Sequence, residues 1–160
     1  MPIKRCLFLL IIFFSAISLN AATVSFLVIE TGLDADPEAN LHSSLWESGL
    51  LDVFFESGHI VSNAPVMRLY KKPVEKFPAE AQNDFNEALE GGVEYFIIAM
   101  LDYQNGVNAQ RPQNITLRLF KTRPFEMLFE QKITDTNPRS TKEEYDNLKK
   151  AARVLLPRVK

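Results

Sequence analysis

Residues 93–103, VEYFIIAMLDY, form the most apolar segment of this 160-residue chain beyond its N-terminal region. A short apolar run with many β-branched and aromatic side chains is typical of a strand that is covered on both faces. We therefore predict that this segment is a central strand of a sheet. Residues 23–30, TVSFLVIE, have the same character and predict a second central strand.

The segment between these two strands begins with a helical pattern. Asp36 followed by Pro37 is a favourable helix start, because Asp caps the backbone and Pro fits the first helical position. Apolar side chains then recur at spacings of three and four from Leu41 to Phe54, which predicts an amphipathic helix of about five turns. Gly58 is placed to end it.

Two further helices are indicated by their boundary residues. Pro78 opens the second helix, and Gly91 and Gly92 close it. The third helix begins at residues 140–143, STKE, which have the spacing of a capping box. Both segments carry an apolar stripe, so we expect them to pack against the sheet.

The remaining strands are shorter or alternate in polarity. Residues 59–62 predict a short strand, and residues 115–121 and 125–133 alternate between apolar and polar side chains. Such alternation predicts an antiparallel hairpin at the edge of the sheet, with one face exposed to water. The order is β-α-β-α-β-β-β-α, so we predict an α/β sandwich (α+β) with a mixed sheet of about five strands and helices packed on it.

The N-terminus has the features of a secretory signal. Lys4 and Arg5 precede 13 uncharged residues, 7–19, and small side chains follow. We predict cleavage after Ser18 or Ala21, which divides the chain into a signal peptide at 1–21 and a single domain at 22–160. The exported domain is then a periplasmic protein without a stable membrane anchor.

Cysteine usage and charge limit the class of protein further. Cys6 is the only cysteine and comes before the apolar run, whereas a lipid-attachment cysteine would follow it. Removal of Lys4 and Arg5 leaves 16 of the 18 basic side chains against 20 acidic ones, a net charge of about −4. That balance gives no basic footprint for nucleic acid, so we predict none as a partner.

Both histidines lie within residues 41–65, where a catalytic group would be sought first. His42 and Ser43 are neighbours on a helix and point about 100° apart, so they cannot form a nucleophile–base pair with each other. His59 lies beyond the helix end, and the chain has no G-x-S-x-G sequence. We predict that His42 is a surface helix residue, that His59 flanks a strand, and that the chain has no catalytic residue.

The loop after the first strand is the candidate for a metal or ligand site. Acidic and amide side chains alternate there as at the start of a calcium loop: Asp34, Asp36, Glu38 and Asn40. A calcium loop that began at Asp34 would need Gly at its sixth position and Glu at its twelfth, but these positions are Ala39 and Leu45. We therefore predict no metal and no cofactor. Ligands bind at the carboxyl ends of strands in open α/β sheets, which makes Gly32, Asp34 and Asp36 an alternative ligand site.

A polar loop at residues 104–114 is the longest segment without a regular pattern. Long loops are often functional, and arginines surround the edge hairpin. The predicted partner-binding residues are Arg111, Arg118, Arg123, Asn105 and Gln110. The alternative is that these charges only prevent unwanted strand pairing at the edge. Trp46 would be the next candidate if it is exposed.

Residues 50–63, LLDVFFESGHIVSN, together with the element order carry a resemblance to known envelope proteins. A leucine-containing helix ends at Gly58 and a hydrophobic pair follows at Ile60 and Val61; later Gly91 and Gly92 precede a buried strand. This pattern over residues 23–156 resembles the α/β domain of the N-terminal part of the TolB propeller protein, of the curli export channel CsgG and of LpoB-type lipoprotein activators. The resemblance implies a protein that binds other envelope proteins and is not an enzyme.

These observations lead to one main hypothesis and two alternatives. The main one is an exported, non-catalytic protein-interaction module of the cell envelope, which docks on another envelope protein through the edge hairpin and the polar loop. The second is a periplasmic small-ligand-binding protein or hydrolase that uses the loop after the first strand. The third is a purely structural accessory protein.

Overall fold

A computed structural model describes residues 21–32, 39–103, 111–133 and 140–160. Within these ranges the strands are β1 (Thr23–Thr31), β2 (Ile60–Asn63), β3 (Met67–Leu69), β4 (Tyr95–Asp102), β5 (Asn114–Lys121) and β6 (Glu126–Ile133). The α-helices are α1 (Ala39–Glu56), α2 (Gln82–Glu90) and α3 (Thr141–Arg153), and short 3₁₀ turns lie at Ala79–Ala81 and Leu156–Arg158.

All six strands belong to one mixed sheet. Its order is β2-β1-β4-β5-β6, and β3 pairs with β1 further along the same edge as β2. β1 is parallel to β2, β3 and β4, whereas β5 is antiparallel to β4 and β6 is antiparallel to β5. The predicted fold class is confirmed, and so is the central position of the two most apolar strands. The sheet has six strands where about five were predicted, and the additional strand is the short β3.

The hairpin of β5 and β6 differs from its prediction in one respect. β6 is the edge strand, as expected, but β5 is buried on both faces. Phe120, on the face expected to be wet, packs among other aromatic side chains, and Arg118 on that face is covered by residues 75 and 76. The segment before α2 therefore covers the face of β5 that the alternating pattern had predicted to be exposed to water.

Two hydrophobic clusters lie on opposite faces of the sheet because successive side chains of a strand point in opposite directions. On one face Val24, Phe26 and Val28 of β1 pack with side chains of α1 and α3. On the other face Leu27 and Ile29 pack with α2 and the segment before it. The molecule is thus a sheet between two helical layers.

Helix α1 packs as its apolar spacing predicted. Trp46, Leu50, Val53 and Phe54 are buried against the sheet. The helix ends where Gly58 adopts a φ of 83°, and the amide of the next residue donates to the Phe54 carbonyl at 3.0 Å. Only Gly adopts that conformation at no steric cost. The proposed start at residues 36 and 37 lies outside the described residues.

Helix α3 packs alongside α1. Its start is confirmed, because the Ser140 side chain accepts a hydrogen bond from the Glu143 amide at 3.2 Å. The Tyr145 hydroxyl donates to Asp52 of α1, and this bond raises the pKa of Tyr145 to about 12. None of the helices in the described ranges combines the length and the hydrophobicity needed to cross a membrane.

Helix α1 packs tightly against α3 at Gly49. A Cβ at this position would overlap the side-chain methyl groups of Leu148, which is itself buried. The absence of a side chain at Gly49 is therefore what lets the two helices pack at this distance.

We predict that Gly49→Val destabilises the protein by about 2 kcal/mol, because the added methyl groups force Leu148 out of its packed position. Urea unfolding measures the difference. Ser48→Val, at an exposed position of the same helix, is the control and should change stability by less than about 0.5 kcal/mol. Equal effects of the two substitutions would contradict the close helix contact.

Candidate functional site

The carboxyl ends of β1 and β4 place ionisable side chains next to each other. Thr31 is the register partner of Asp102, and Glu30 precedes Thr31 on β1. Because β1 and β4 are parallel, both strands end at the same edge of the sheet. This is the edge at which open α/β sheets bind ligands. We call this group of side chains the carboxyl-edge cluster.

Glu30 is the most deeply buried carboxylate of this cluster. Its side chain is 0% exposed, and it faces α1, where the Ser43 hydroxyl donates to Oε1. The Arg68 guanidinium, on β3, donates from Nε to Oε2 at 2.8 Å. A buried carboxylate needs such partners, since burial of an unpaired charge is costly. Arg68 is 52% exposed and therefore covers Glu30 from the solvent side.

Asp102 is arranged in the same way on the opposite face of the sheet. The Lys72 ammonium donates to Oδ2 at 2.6 Å, and the Thr31 hydroxyl donates to Oδ1 at 3.3 Å. The Lys72 side chain is 49% exposed, whereas that of Asp102 is nearly buried. The segment from β3 to Lys72 thus supplies a cation to each of two neighbouring strand ends.

His42 completes the cluster between α1 and α3. Its Nδ1 lies 2.6 Å from Oε1 of Glu144, and its ring lies 6.4 Å from that of Tyr103. The prediction that His42 is a surface residue is wrong, because only 5% of it is exposed. Helix α3 covers the position, and no local pattern in α1 reveals that contact.

The chemistry available to the cluster follows from this pairing. Each of its three carboxylates already forms a charge-assisted hydrogen bond with a cation or an imidazole. A ligand at this edge would have to compete with Arg68 or Lys72. No group of three side chains suited to a metal ion comes together within the described ranges.

A second feature lies at the opposite end of the sheet, where the turn between β5 and β6 adjoins the start of β4. A cavity of about 300 Å³ opens there. We call it the basic cleft, because three of its side chains are cationic and one is anionic. It is lined by Gly92, Val93, Glu94, Tyr95, Lys121, Thr122, Arg123 and Lys160.

The three arginines predicted to bind a partner do not share one surface. Arg111 precedes β5, Arg118 lies within it and Arg123 follows it, so Arg111 and Arg123 lie beyond opposite ends of a strand that is about 24 Å long at ~3.4 Å per residue. Arg123 is exposed and belongs to the basic cleft, while Arg111 is half-buried. Asn105 and Gln110 lie outside the described residues.

Arg118 is buried and hydrogen-bonded within the fold, so the prediction that it is an exposed charge at the sheet edge is wrong. It is 8% exposed, and its Nε donates to Glu130 of β6 at 2.8 Å. Its Nη1 donates to the carbonyl of Lys76 at 2.6 Å. The hydrogen bond from Arg118 lowers the pKa of Glu130 below the usual value for this side chain.

The alternative ligand site is described in part. Gly32 lies at the carboxyl-edge cluster with a φ of 78°, and its amide donates to the Leu69 carbonyl at 3.2 Å. The left-handed conformation favours Gly at this turn. Asp34 and Asp36 lie outside the described residues, so their part in a ligand site stays a prediction.

The two other residues singled out in the sequence belong to the core or its margin. Trp46 is buried, so it cannot serve as a surface anchor. His59 precedes β2, as predicted, and its Nδ1 accepts a hydrogen bond from the Ala22 amide at 3.2 Å. Burial lowers the pKa of His59.

Sequence reasoning missed the partners that tertiary structure brings together. One signal was present, because an acidic residue lies at or next to the carboxyl end of each apolar strand: Glu30 is the last residue but one of β1, and Asp102 is the last residue of β4. An acid at the end of a buried strand requires a partner. Nothing in the local sequence identifies Arg68 and Lys72 as those partners.

Comparison with known proteins assigns the chain to a family. A family model with the description "Uncharacterised protein" matches residues 23–149, which is more than half of the chain. The protein therefore belongs to this family. No curated protein matches the chain.

Two solved structures resemble it over most of its length. Both are PelC dodecamers from Paraburkholderia phytofirmans, with TM-scores of 0.48 and 0.47 and sequence identities of 15% and 14%. Each alignment covers 87% of this chain and 88% of the other. The resemblance to the TolB, CsgG and LpoB domains stays a prediction.

We predict that Arg118→Ala destabilises the protein by about 2–4 kcal/mol, because it leaves the Glu130 carboxylate without its cation. The exposed Arg123→Ala should cost less than about 0.5 kcal/mol and serves as the control. Chemical denaturation measures both.

The cost of Arg118→Ala should also depend on pH. Because Arg118 lowers the pKa of Glu130 in the folded state, its stabilisation is present above the ordinary glutamate value of 4.5 and is lost as the pH falls through the lowered pKa. The stability difference from the unaltered protein should therefore shrink in acid. A difference that grows below that pH would contradict the assigned ion pair.

Proposed function

We propose that this protein is an exported, non-catalytic protein-interaction module of the cell envelope, and that it docks a partner protein at the free edge of β6. The single observation that carries the proposal is the open outer side of this strand. Within the described ranges the sheet ends at β6, and no strand pairs with its outer edge.

The length of β6 makes its edge a docking template. Glu126–Ile133 has eight residues, whereas β2 at the other edge has four. An edge strand presents unpaired amide and carbonyl groups to which an extended segment of another protein can add as a further strand. Backbone hydrogen bonds then supply affinity, and alternate side chains supply specificity.

The middle of β6 has no exposed charge of its own, and the Arg158 guanidinium covers a side chain there, 4.0 Å from the centroid of the Phe129 ring. Natural edges are commonly blocked by proline or by charges that point outward. Residues 127–129 are Met-Leu-Phe and carry no charge, and Glu130 is already engaged by Arg118. Charges that remain exposed, on Glu126 and Lys132, lie towards the two ends of the strand.

The carboxyl-edge cluster supports a binding role rather than a catalytic one. A general base or nucleophile needs a group that can reach a substrate. Here Glu30 and Asp102 are buried and paired with cations, and His42 is buried beside Glu144. The predicted signal peptide at residues 1–21 supports the proposed location, because such a segment would direct the domain to the periplasm, where envelope complexes assemble.

Site-specific photocrosslinking in the producing cell tests this function. A photoreactive residue replaces Glu126 or Lys132 at the β6 edge, or Glu87 and Lys150 on the exposed sides of α2 and α3 as controls. We expect one protein to be crosslinked from both edge positions and from neither control. Equal crosslinking from all four positions, or crosslinks from the helices alone, would contradict docking at β6.

A second function is favoured by a specific observation, the position of Gly32 directly after the carboxyl end of β1, where open α/β sheets bind ligands. This function is the binding, or hydrolysis, of a small ligand by Gly32 together with Asp34 and Asp36, two residues outside the described ranges. A thermal-shift screen of metabolites tests it: Asp34→Ala and Asp36→Ala should abolish a shift that the exposed Asp146→Ala retains. A flat response of the unaltered protein across a broad screen would rule against this function.

A further inference from the structure

The basic cleft concentrates positive charge on a chain whose formal net charge is −2. Its cationic side chains are Lys121 at the end of β5, Arg123 in the following turn and Lys160 in the C-terminal segment. Within the described part of the chain, Lys121 and Lys160 form no ion pair. Three like charges around one cavity repel each other and favour an anion between them.

The one acidic side chain of the cleft does not neutralise these cations. Oε2 of Glu94 accepts a hydrogen bond from the Thr23 amide at 3.0 Å and lies 3.5 Å from the Thr23 hydroxyl. The carboxylate is thus held against the start of β1. Arg123 directs one Nη2 hydrogen bond to the Leu89 carbonyl at 3.3 Å, and a guanidinium has further donors for a ligand.

The walls of the cleft are fixed by hydrogen bonds. The buried Thr122 hydroxyl donates to the Val93 carbonyl at 2.6 Å and lies 3.1 Å from that of Glu94, which ties the hairpin turn to the approach to β4. The Tyr95 hydroxyl donates to the main-chain oxygen of Lys160 at 3.2 Å and accepts from the Lys160 amide at 3.3 Å. The cations therefore project from a preformed surface, which lowers the ordering cost of binding.

We propose that the basic cleft is a binding site for a small, multiply charged oxyanion, such as a phosphoryl group or a compact polycarboxylate. The volume of about 300 Å³ is at the small end of the range for ligand sites. Arg123 provides the planar donor pair that suits such oxyanions, and the lysines act as point charges. This site is separate from the β6 edge and does not depend on the proposed docking of a partner.

Isothermal titration calorimetry of the full chain at low salt tests the site, with pyrophosphate, citrate and uncharged glycerol as the probes. We expect saturable binding of at least one anion at one site per chain and none of glycerol. Binding of pyrophosphate alone assigns a phosphoryl group, and binding of citrate alone assigns a polycarboxylate. Affinity should fall as salt is added, because screening weakens exposed charges.

Two cleft variants and two controls locate the binding. Lys121→Gln and Arg123→Gln should each weaken binding about tenfold, as expected for the loss of one charge-assisted hydrogen bond. Lys142→Gln and Lys150→Gln remove the same charge from exposed positions of α3 and should leave the affinity within about twofold. Circular dichroism and thermal unfolding verify that all four variants fold.

Two results would overturn the proposal. The first is the absence of saturable binding for both anions to the folded, unaltered protein. The second is binding that the cleft variants and the α3 controls weaken equally, since that pattern reports net charge alone.

Discussion

The parallel pairing of β1 with β4 is the constraint on which the rest of this structure depends. Eight consecutive register pairs, from Val24 with Tyr95 to Thr31 with Asp102, join the two strands. Both strands are buried almost throughout, so helices must cover both faces of the sheet. The same register brings Glu30 and Asp102 to one edge, where each must find a cation or a hydrogen-bond donor.

Those two carboxylates help to fix the position of the segment between β2 and α2. Arg68 and Lys72 reach over the edge of the sheet from this segment and pair with Glu30 and Asp102. The same segment then covers Arg118, and Phe77 lies 5.2 Å from both Phe85 and Phe120 in edge-on contacts. Ion pairs and aromatic packing thus hold the segment between β2 and α2 against the part of the sheet face that α2 does not cover.

The hairpin of β5 and β6 presents two different surfaces that follow from its place in the sheet. Among the strands of the described ranges β6 is the last of the sheet, and none of them pairs with its outer edge, while the turn at its start lies beside the amino end of β4 and completes the basic cleft. The interior of β5 belongs neither to the β6 edge nor to the basic cleft, because Arg118 donates its hydrogen bonds to Glu130 and to the carbonyl of Lys76. The proposed protein partner and the proposed anion would therefore bind to different residues.

The amino-acid sequence by itself determined the local elements of this protein. Apolar runs, the spacing in α1, Gly58 and the Ser140 cap specify strands, helices and their ends because these signals act within a few residues. Only the tertiary structure decided which charges are buried and paired. The burial of His42 beside Glu144 and of Arg118 beneath residues 75 and 76 depends on contacts between remote segments. Side-chain periodicity carries no information about such contacts, because it reports which face of an element is apolar and not what another element places against that face.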